Sequence, residues 1–294
     1  MPTTELDRPA TPPDLSRRDF VRAAVGSGFA AAVLPVSAQT IKTDSAGLTV
    51  GEVMISVGDF KLPVYRAMPA GRSGNGAGLP VVLVVSEIFG VHEHIADVAR
   101  RFAKLGYLAI APELFVRQGD AQSFGEIAKL LAEVVNKVPD AQVMADLDAC
   151  VAWAKANGGD TSKLGVTGFC WGGRITWLYT AHNPAVKAGV AWYGQLLGTP
   201  NELKPKNPID LVGQLKAPVL GLYGAEDQGI PVAAVDQMKA ALATGNAAAK
   251  ASQFIVYPGA QHAFHADYRP SYKKDAADDG WKRCVAWMRS NDVA

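Results

Sequence analysis

The sequence of 294 residues predicts an α/β protein: a mostly parallel central sheet with helices on both faces, entered through an N-terminal antiparallel hairpin. Three observations predict it. Short β-rich runs alternate with amphipathic stretches through short connections, which is the pattern of a doubly wound sheet. Residues 80–85 are continuously apolar and rich in valine, as a strand buried on both faces must be. Gly58 and Asp59, a turn pair, separate two β-rich runs.

Residues 49–57 and 61–67 read as the hairpin strands, and the Gly/Ser/Asn-rich 71–78 as a surface loop. After the strand at 80–85, a helix is expected over 94–105, with Ile95, Val98, Phe102 and Leu105 on one face and Gly106 as its stop. Residues 107–111 form the next strand, and two helices near 124–137 and 140–157 are separated by Pro139. A strand at 164–168 runs into Phe169-Cys170-Trp171-Gly172-Gly173, with a helix continuing over 174–180. Further strands are expected at 188–192, 218–223 and 254–257, and a closing helix at 272–289. No internal repeat or linker breaks the pattern, so residues 39–294 read as one domain.

Apolar residues make up 49% and charged residues 19%, the values of a globular domain with a sizeable core. Lys plus Arg number 29 against 28 Asp plus Glu, with no long run of one sign. That balance gives no electrostatic basis for a nucleic acid or anionic membrane partner. Cys150, Cys170 and Cys284 lie far apart with no C-x-x-C pair, so neither a zinc site nor a disulfide framework is indicated. Cys150 and Cys284 fall on amphipathic stretches and are expected in the core. Nothing sets an oligomeric state, and a monomer is the default expectation.

Residues 1–38 read as an address. Ser16-Arg17-Arg18-Asp19-Phe20-Val21-Arg22 sets two adjacent arginines before an apolar stretch at 23–36, which ends in Val36-Ser37-Ala38, small residues that signal peptidase accepts. The stretch is shorter than the roughly 20 helical residues that span a bilayer. The pattern resembles a twin-arginine signal, which implies the twin-arginine export machinery as a partner, cleavage after Ala38, a periplasmic or secreted protein and no stable membrane anchor.

The sharpest local signal is Gly168-Phe169-Cys170-Trp171-Gly172. A nucleophile on a tight strand-to-helix turn, with glycine two residues to either side, lets the helix pack close to the strand. The helix N-terminus stabilises a thiolate, and the N–H of Trp171 is available to an oxyanion. Asp227 follows one expected strand in Gly224-Ala225-Glu226-Asp227, with Glu226 as its competitor, and His262 follows the next. Nucleophile, acid and histidine therefore come in the chain order of α/β-hydrolases, with His262 as base and later acid and Asp227 as its orienting partner.

Four segments in register resemble the dienelactone hydrolase family: Ser86-Glu87-Ile88-Phe89-Gly90, residues 168–173, Gly-Ala-Glu-Asp227, and Gly-Ala-Gln-His262-Ala-Phe264. The resemblance implies an α/β-hydrolase fold and a reaction in which Cys170 attacks a lactone or ester carbonyl to give a thioester that water resolves. It implies a role for Glu87 in generating the thiolate, with burial beside Ile88 and Phe89 raising its pKa, and the N–H of Ile88 as second oxyanion donor beside Trp171. It also implies that Arg117 holds a substrate carboxylate. The family's second arginine falls on Ala266, so His265 or Arg269 is the expected substitute, and Phe264, Tyr268 and Trp171 are expected to line a more apolar pocket.

The function read from the sequence is hydrolysis of a small lactone or ester with no metal or organic cofactor required. The same groups could serve another ester, a thioester or a short amide, because fold and triad do not name a substrate. A non-catalytic periplasmic binding protein would keep the pocket, but joint retention of Cys170, His262, Asp227 and Glu87 argues against it.

Overall fold

The computed structural model describes residues 40–72 and 78–294. The sequence reading of 1–38 and the middle of the 71–78 loop lie outside the described residues.

Strands β1 (Leu48–Val57) and β2 (Phe60–Pro69) pair antiparallel through a two-residue turn, where Gly58 has a φ of +57°. Tight hairpins place that left-handed value on glycine. The chain continues through β3 (Leu79–Val85), α1 (Glu93–Lys104), β4 (Leu108–Pro112), α2 (Ile127–Glu133), α3 (Asp140–Ala156) and β5 (Gly159–Phe169). It closes with α4 (Trp171–His182), β6 (Val186–Trp192), β7 (Val219–Gly224), α5 (Val232–Thr244), α6 (Ala247–Ala251), β8 (Gln253–Tyr257) and α7 (Lys274–Ser290). These strands form one sheet in the order β1-β2-β4-β3-β5-β6-β7-β8, antiparallel from β1 to β4 and parallel from β4 to β8.

Valine on successive positions of β3 is explained by burial from both sides. Val81, Leu83 and Val85 belong to one core that also takes in Val143 and Leu147 of α3, Ile175 of α4 and Met238 of α5. Val82 and Val84 belong to a second core that also takes in Ile95 and Phe102 of α1 and Cys284 and Met288 of α7. Cys150 and Cys284 are free and buried in these cores.

Two boundaries differ from the sequence reading for identifiable reasons. The helix expected at 124–137 is α2 followed by a 3₁₀ turn, Val135–Lys137. Strand β5 begins at Gly159, five residues early, because its polar start pairs with Leu79 and Pro80 before a register shift. Backbone pairing fixes that segment, where no apolar periodicity marks it. Helices α5 and α6, absent from the sequence reading, cover the β7–β8 end of the sheet; Val235, Met238 and Leu242 are the buried stripe of α5.

Residues 41 and 43 tie the chain entrance to the body. The Ile41 N–H donates to Asp267 at 2.7 Å, the Thr43 N–H donates to Asp97 on α1, and Arg100 Nε donates to the Thr43 carbonyl at 2.8 Å.

Candidate active site

The parallel strands β3, β5 and β7 and the segment after β8 all deliver residues to the same rim, the C-terminal edge where such sheets carry their sites. Glu87 and Ile88 follow β3, Cys170 follows β5, Asp227 follows β7 and His262 follows β8.

Cys170 alone separates β5 from α4, with φ 54° and ψ −114°. A side chain held in left-handed backbone is strained, and only over-determined surroundings keep it there. The glycines supply those surroundings. A Cβ on Gly168 would lie 2.1 Å from the Gly172 carbonyl oxygen, one on Gly172 2.3 Å from that of Val85, and one on Gly173 2.6 Å from that of Trp192. The start of α4 is thereby pressed against the ends of β3 and β6, which brings the Glu87–Ile88 segment beside the elbow.

His262 Nδ1 donates to Asp227 Oδ2 at 2.7 Å. The other carboxylate oxygen, Oδ1, accepts the N–H groups of Gly229 at 2.9 Å and Ile230 at 3.0 Å, so Asp227 is locked in orientation. Asp227 is buried and Glu226 exposed, and it is Asp227 that meets His262. The imidazole also interacts electrostatically with the Cys170 sulfur. Burial works against a charged imidazole here, but Asp227 and Cys170 outweigh it and raise the His262 pKa to about 10. Ala263, next in the chain, is another non-glycine residue at positive φ, 61°, and so is Tyr193 at 39°, whose ring meets His262 edge-on at 5.2 Å.

The two other cysteines provide a contrast. Burial pushes both thiols up, that of Cys284 to about 12, so neither is a nucleophile at neutral pH.

Glu87 is fully buried, as its apolar neighbours suggested, but the expected rise in its pKa is not what results. Burial pushes it up, yet His92, His94 and the Tyr268 hydroxyl overcome that push and bring it to about 2. Tyr268 donates to Glu87 Oε2 at 2.5 Å, and His92 Nε2 lies 3.5 Å from the same oxygen. The second oxygen, Oε1, has no partner among the described residues. No hydrogen bond within the described residues engages the N–H of Ile88 or of Trp171, the first residue of α4.

The residues expected to hold substrate divide sharply. Arg117 already grips a carboxylate: Nη1 and Nη2 donate to the two oxygens of Asp146 on α3 at 2.6 and 2.7 Å, with the guanidinium 4.0 Å from the Phe60 ring centre. Its fork is filled by the protein itself, which removes the reason to assign it to substrate. Phe264 has no exposed surface and packs on Trp192, Tyr193 and Tyr257, behind the site. His265 is also buried, against Phe169 and Trp192, and burial together with His94 and Arg101 holds its pKa well below the usual value. A neutral, sequestered imidazole cannot replace the arginine lost at Ala266.

Arg269 can. It shares with His262, Asp227, Gln228 and Ser271 an open depression of about 760 Å³. Its guanidinium sits 5.6 Å from the Phe89 ring centre and forms no ion pair among the described residues. Sequence reasoning missed His92 and Tyr193, which meet Glu87 and His262; Tyr193 reaches His262 from the end of β6, and His92, only five residues after Glu87, is turned back onto it by the fold of the loop.

Residues 64–291 match the model of the dienelactone hydrolase family. A relative from Methylorubrum extorquens, provisionally named carboxymethylenebutenolidase, is 61% identical over 95% of this chain and 94% of its own. One from Escherichia coli strain K12 with the same provisional name is 52% identical over 90% and 95%. A crystal structure from Klebsiella pneumoniae, described provisionally as a dienelactone hydrolase, aligns with a TM-score of 0.79 at 53% identity, over 82% of this chain and 98% of that one. Built on one α/β sheet and matched in this way over most of its length, the chain belongs to the dienelactone hydrolase family, a family of carboxylic ester hydrolases.

Proposed function

We propose that the protein hydrolyses small lactones or esters of the dienelactone type through a Cys170–His262–Asp227 triad and a thioester intermediate. The observation that carries this reading is the strained Cys170 elbow on the same rim as an imidazole whose Nδ1 is held at 2.7 Å by the buried Asp227. His262, its pKa raised by Asp227 and Cys170, is the group that accepts the thiol proton as the sulfur attacks, and the positive end of α4 favours the developing negative charge on sulfur. His262 is then the base for the thiol, while Glu87, held ionised by His92, His94 and Tyr268, is too weak a base for that task.

In the first step the Cys170 sulfur bonds to the carbonyl carbon, and the carbonyl oxygen takes negative charge opposite the N–H groups of Ile88 and Trp171. The C–O bond to the leaving oxygen then breaks, His262 donates its proton to that oxygen, and a thioester remains. Water attacks the thioester, its proton passing to His262, and the acid departs as the thiolate re-forms. In a lactone the leaving oxygen is part of the ring, so a single hydroxy acid is released.

Arg269 supports a carboxylate on the substrate, since it is a cation beside His262 with no acidic partner of its own among the described residues. Comparing acidic dienelactones with neutral short-chain esters tests this. Arg269→Met is expected to raise KM for the acidic substrates by about tenfold, the loss of one charge-assisted contact of about 1.4 kcal/mol, and to leave neutral esters unaffected. Equal losses on both would exclude a role in anion recognition.

We further propose, from Arg17-Arg18 and the apolar run that follows, that the protein is exported by the twin-arginine route to the periplasm or beyond. Replacing both arginines by lysine should retain the protein in the cytoplasm on cell fractionation; unchanged export of that variant would remove the assignment.

A further inference from the structure

Beyond the triad, one carboxyl group contacts the backbone of the loop that the mechanism relies on for its oxyanion donor. Glu113 directly follows β4, the strand beside β3, so it emerges next to the loop at 86–91. Its own N–H donates to the Pro63 carbonyl of β2 at 3.0 Å, which anchors its backbone to the antiparallel side of the sheet. Its Oε1 accepts the Val91 N–H at 3.0 Å, and its Oε2 would lie 2.7 Å from a Cβ on Gly90. Gly90 has a φ of +73°, so both the turn and the approach of the carboxyl require glycine there. Among the described residues, no other side chain hydrogen-bonds the backbone of this loop.

We propose that Glu113 is a positioning residue of the hydrolytic reaction, its carboxyl holding the 88–91 loop so that the Ile88 N–H faces the developing oxyanion. The inference rests on the reading above that Ile88 supplies that donor. Glu113 never touches the substrate or the sulfur in this scheme. It acts through the backbone: a hydrogen bond at Val91 and steric contact at Gly90 leave the intervening residues little freedom to turn the Ile88 N–H away. An oxyanion donor is effective only when aimed before the charge develops, and misplacement by about 1 Å can cost about 100-fold in rate.

The charge state of this carboxyl adds a measurable signature. The groups that face it are the Val91 N–H from the loop and, at longer range, the carboxylates of Glu52 on β1 and Asp120 in the segment after β4. Burial pushes its pKa up to about 7, the Val91 N–H opposes, and the two carboxylates add to the rise. Below that pH the group is protonated and accepts the Val91 N–H as a neutral rather than charged partner, a weaker bond. Turnover should therefore weaken as pH falls through about 7.

The test uses the full chain carrying Glu113→Ala or Glu113→Gln, with kcat and KM on an activated aryl ester and the rate of Cys170 alkylation by iodoacetamide. Glu113→Ala is expected to lower kcat by about 10- to 100-fold, with KM and alkylation rate nearly unchanged because the triad is intact. Glu113→Gln keeps an oxygen for Val91, so it should restore most of kcat and lack the pH dependence near 7. An unaltered kcat in Glu113→Ala, a parallel fall in alkylation rate, or a Gln variant no better than Ala would each overturn the proposal. Should Glu113→Ala not fold, the Gln profile decides alone: loss of the step near pH 7 supports the role and its persistence refutes it. Failure of the triad reading is separately visible, as undiminished turnover by Cys170→Ala.

Discussion

Replacing Cys170 by alanine should lower ester turnover by about four orders of magnitude or more, the scale at which a nucleophile is lost from a triad, while leaving the fold intact. The side chain is half-buried, and its removal leaves the strained turn with a smaller Cβ substituent in the same φ. The matching control is Cys150→Ala, buried in the core on α3, which should cost stability but not turnover per folded molecule. The pH dependence follows from the same geometry. The His262 pKa is raised from 6.5 to about 10, so the imidazolium and its contribution to stability are fully present below about pH 6.5 and are lost as pH rises through about 10. Turnover should decline above about pH 10 because the leaving oxygen loses its proton donor, whereas alkylation of Cys170 should not. A decline shared by both would mean that the sulfur, not the imidazole, sets that limb.

The second large effect is structural. Gly172→Ala should destabilise the protein by about 3 kcal/mol or more, because its Cβ would meet the carbonyl oxygens of Val85 and Ser86 at 2.3 and 2.6 Å. Both are backbone atoms at the end of β3, so relief requires moving the strand or the helix that carries Cys170. For a chain of this size the expected fall in Tm is about 6–12 °C, together with loss of activity from a displaced elbow. Gly213→Ala is the control, since nothing lies within 4 Å of its added Cβ and its φ is not positive. It should be neutral or slightly stabilising. Thermal unfolding of the two variants side by side separates a packing requirement from a general dislike of substitution at glycine.

What could be read from the sequence was whatever is encoded locally. Strand β3 was legible because valines on consecutive positions have only one economical explanation, burial on both faces. The Cys170 elbow was legible because its strain must be relieved by glycines at fixed spacing, and those glycines contact backbone in the folded protein. Asp227 and His262 were legible by their position after strands, though choosing Asp227 over Glu226 needed the burial of the first and exposure of the second.

The misjudged residues share a different property: their roles depend on partners that only the folded chain brings to them. Arg117 suits a carboxylate, but the carboxylate it meets is Asp146, delivered by α3 from 29 residues downstream. His265 is neutral because Phe169 and Trp192, from β5 and β6, close over it. The apolar neighbours of Glu87 were visible in the sequence, but the loop conformation that turns the nearby His92 onto it, and Tyr268 from 181 residues downstream, were not. Glu113 follows the same rule, since the loop it holds belongs to another strand.

The central claim is that the Cys170 sulfur carries the acyl group between the two halves of the reaction. Intact-mass measurement of protein quenched during turnover of an activated ester tests it most directly. The expected result is a single added acyl mass, mapped to the peptide containing Cys170, released by hydroxylamine and absent from Cys170→Ala. Turnover that continues after Cys170 is fully alkylated, or an acyl group found on another residue, would contradict it.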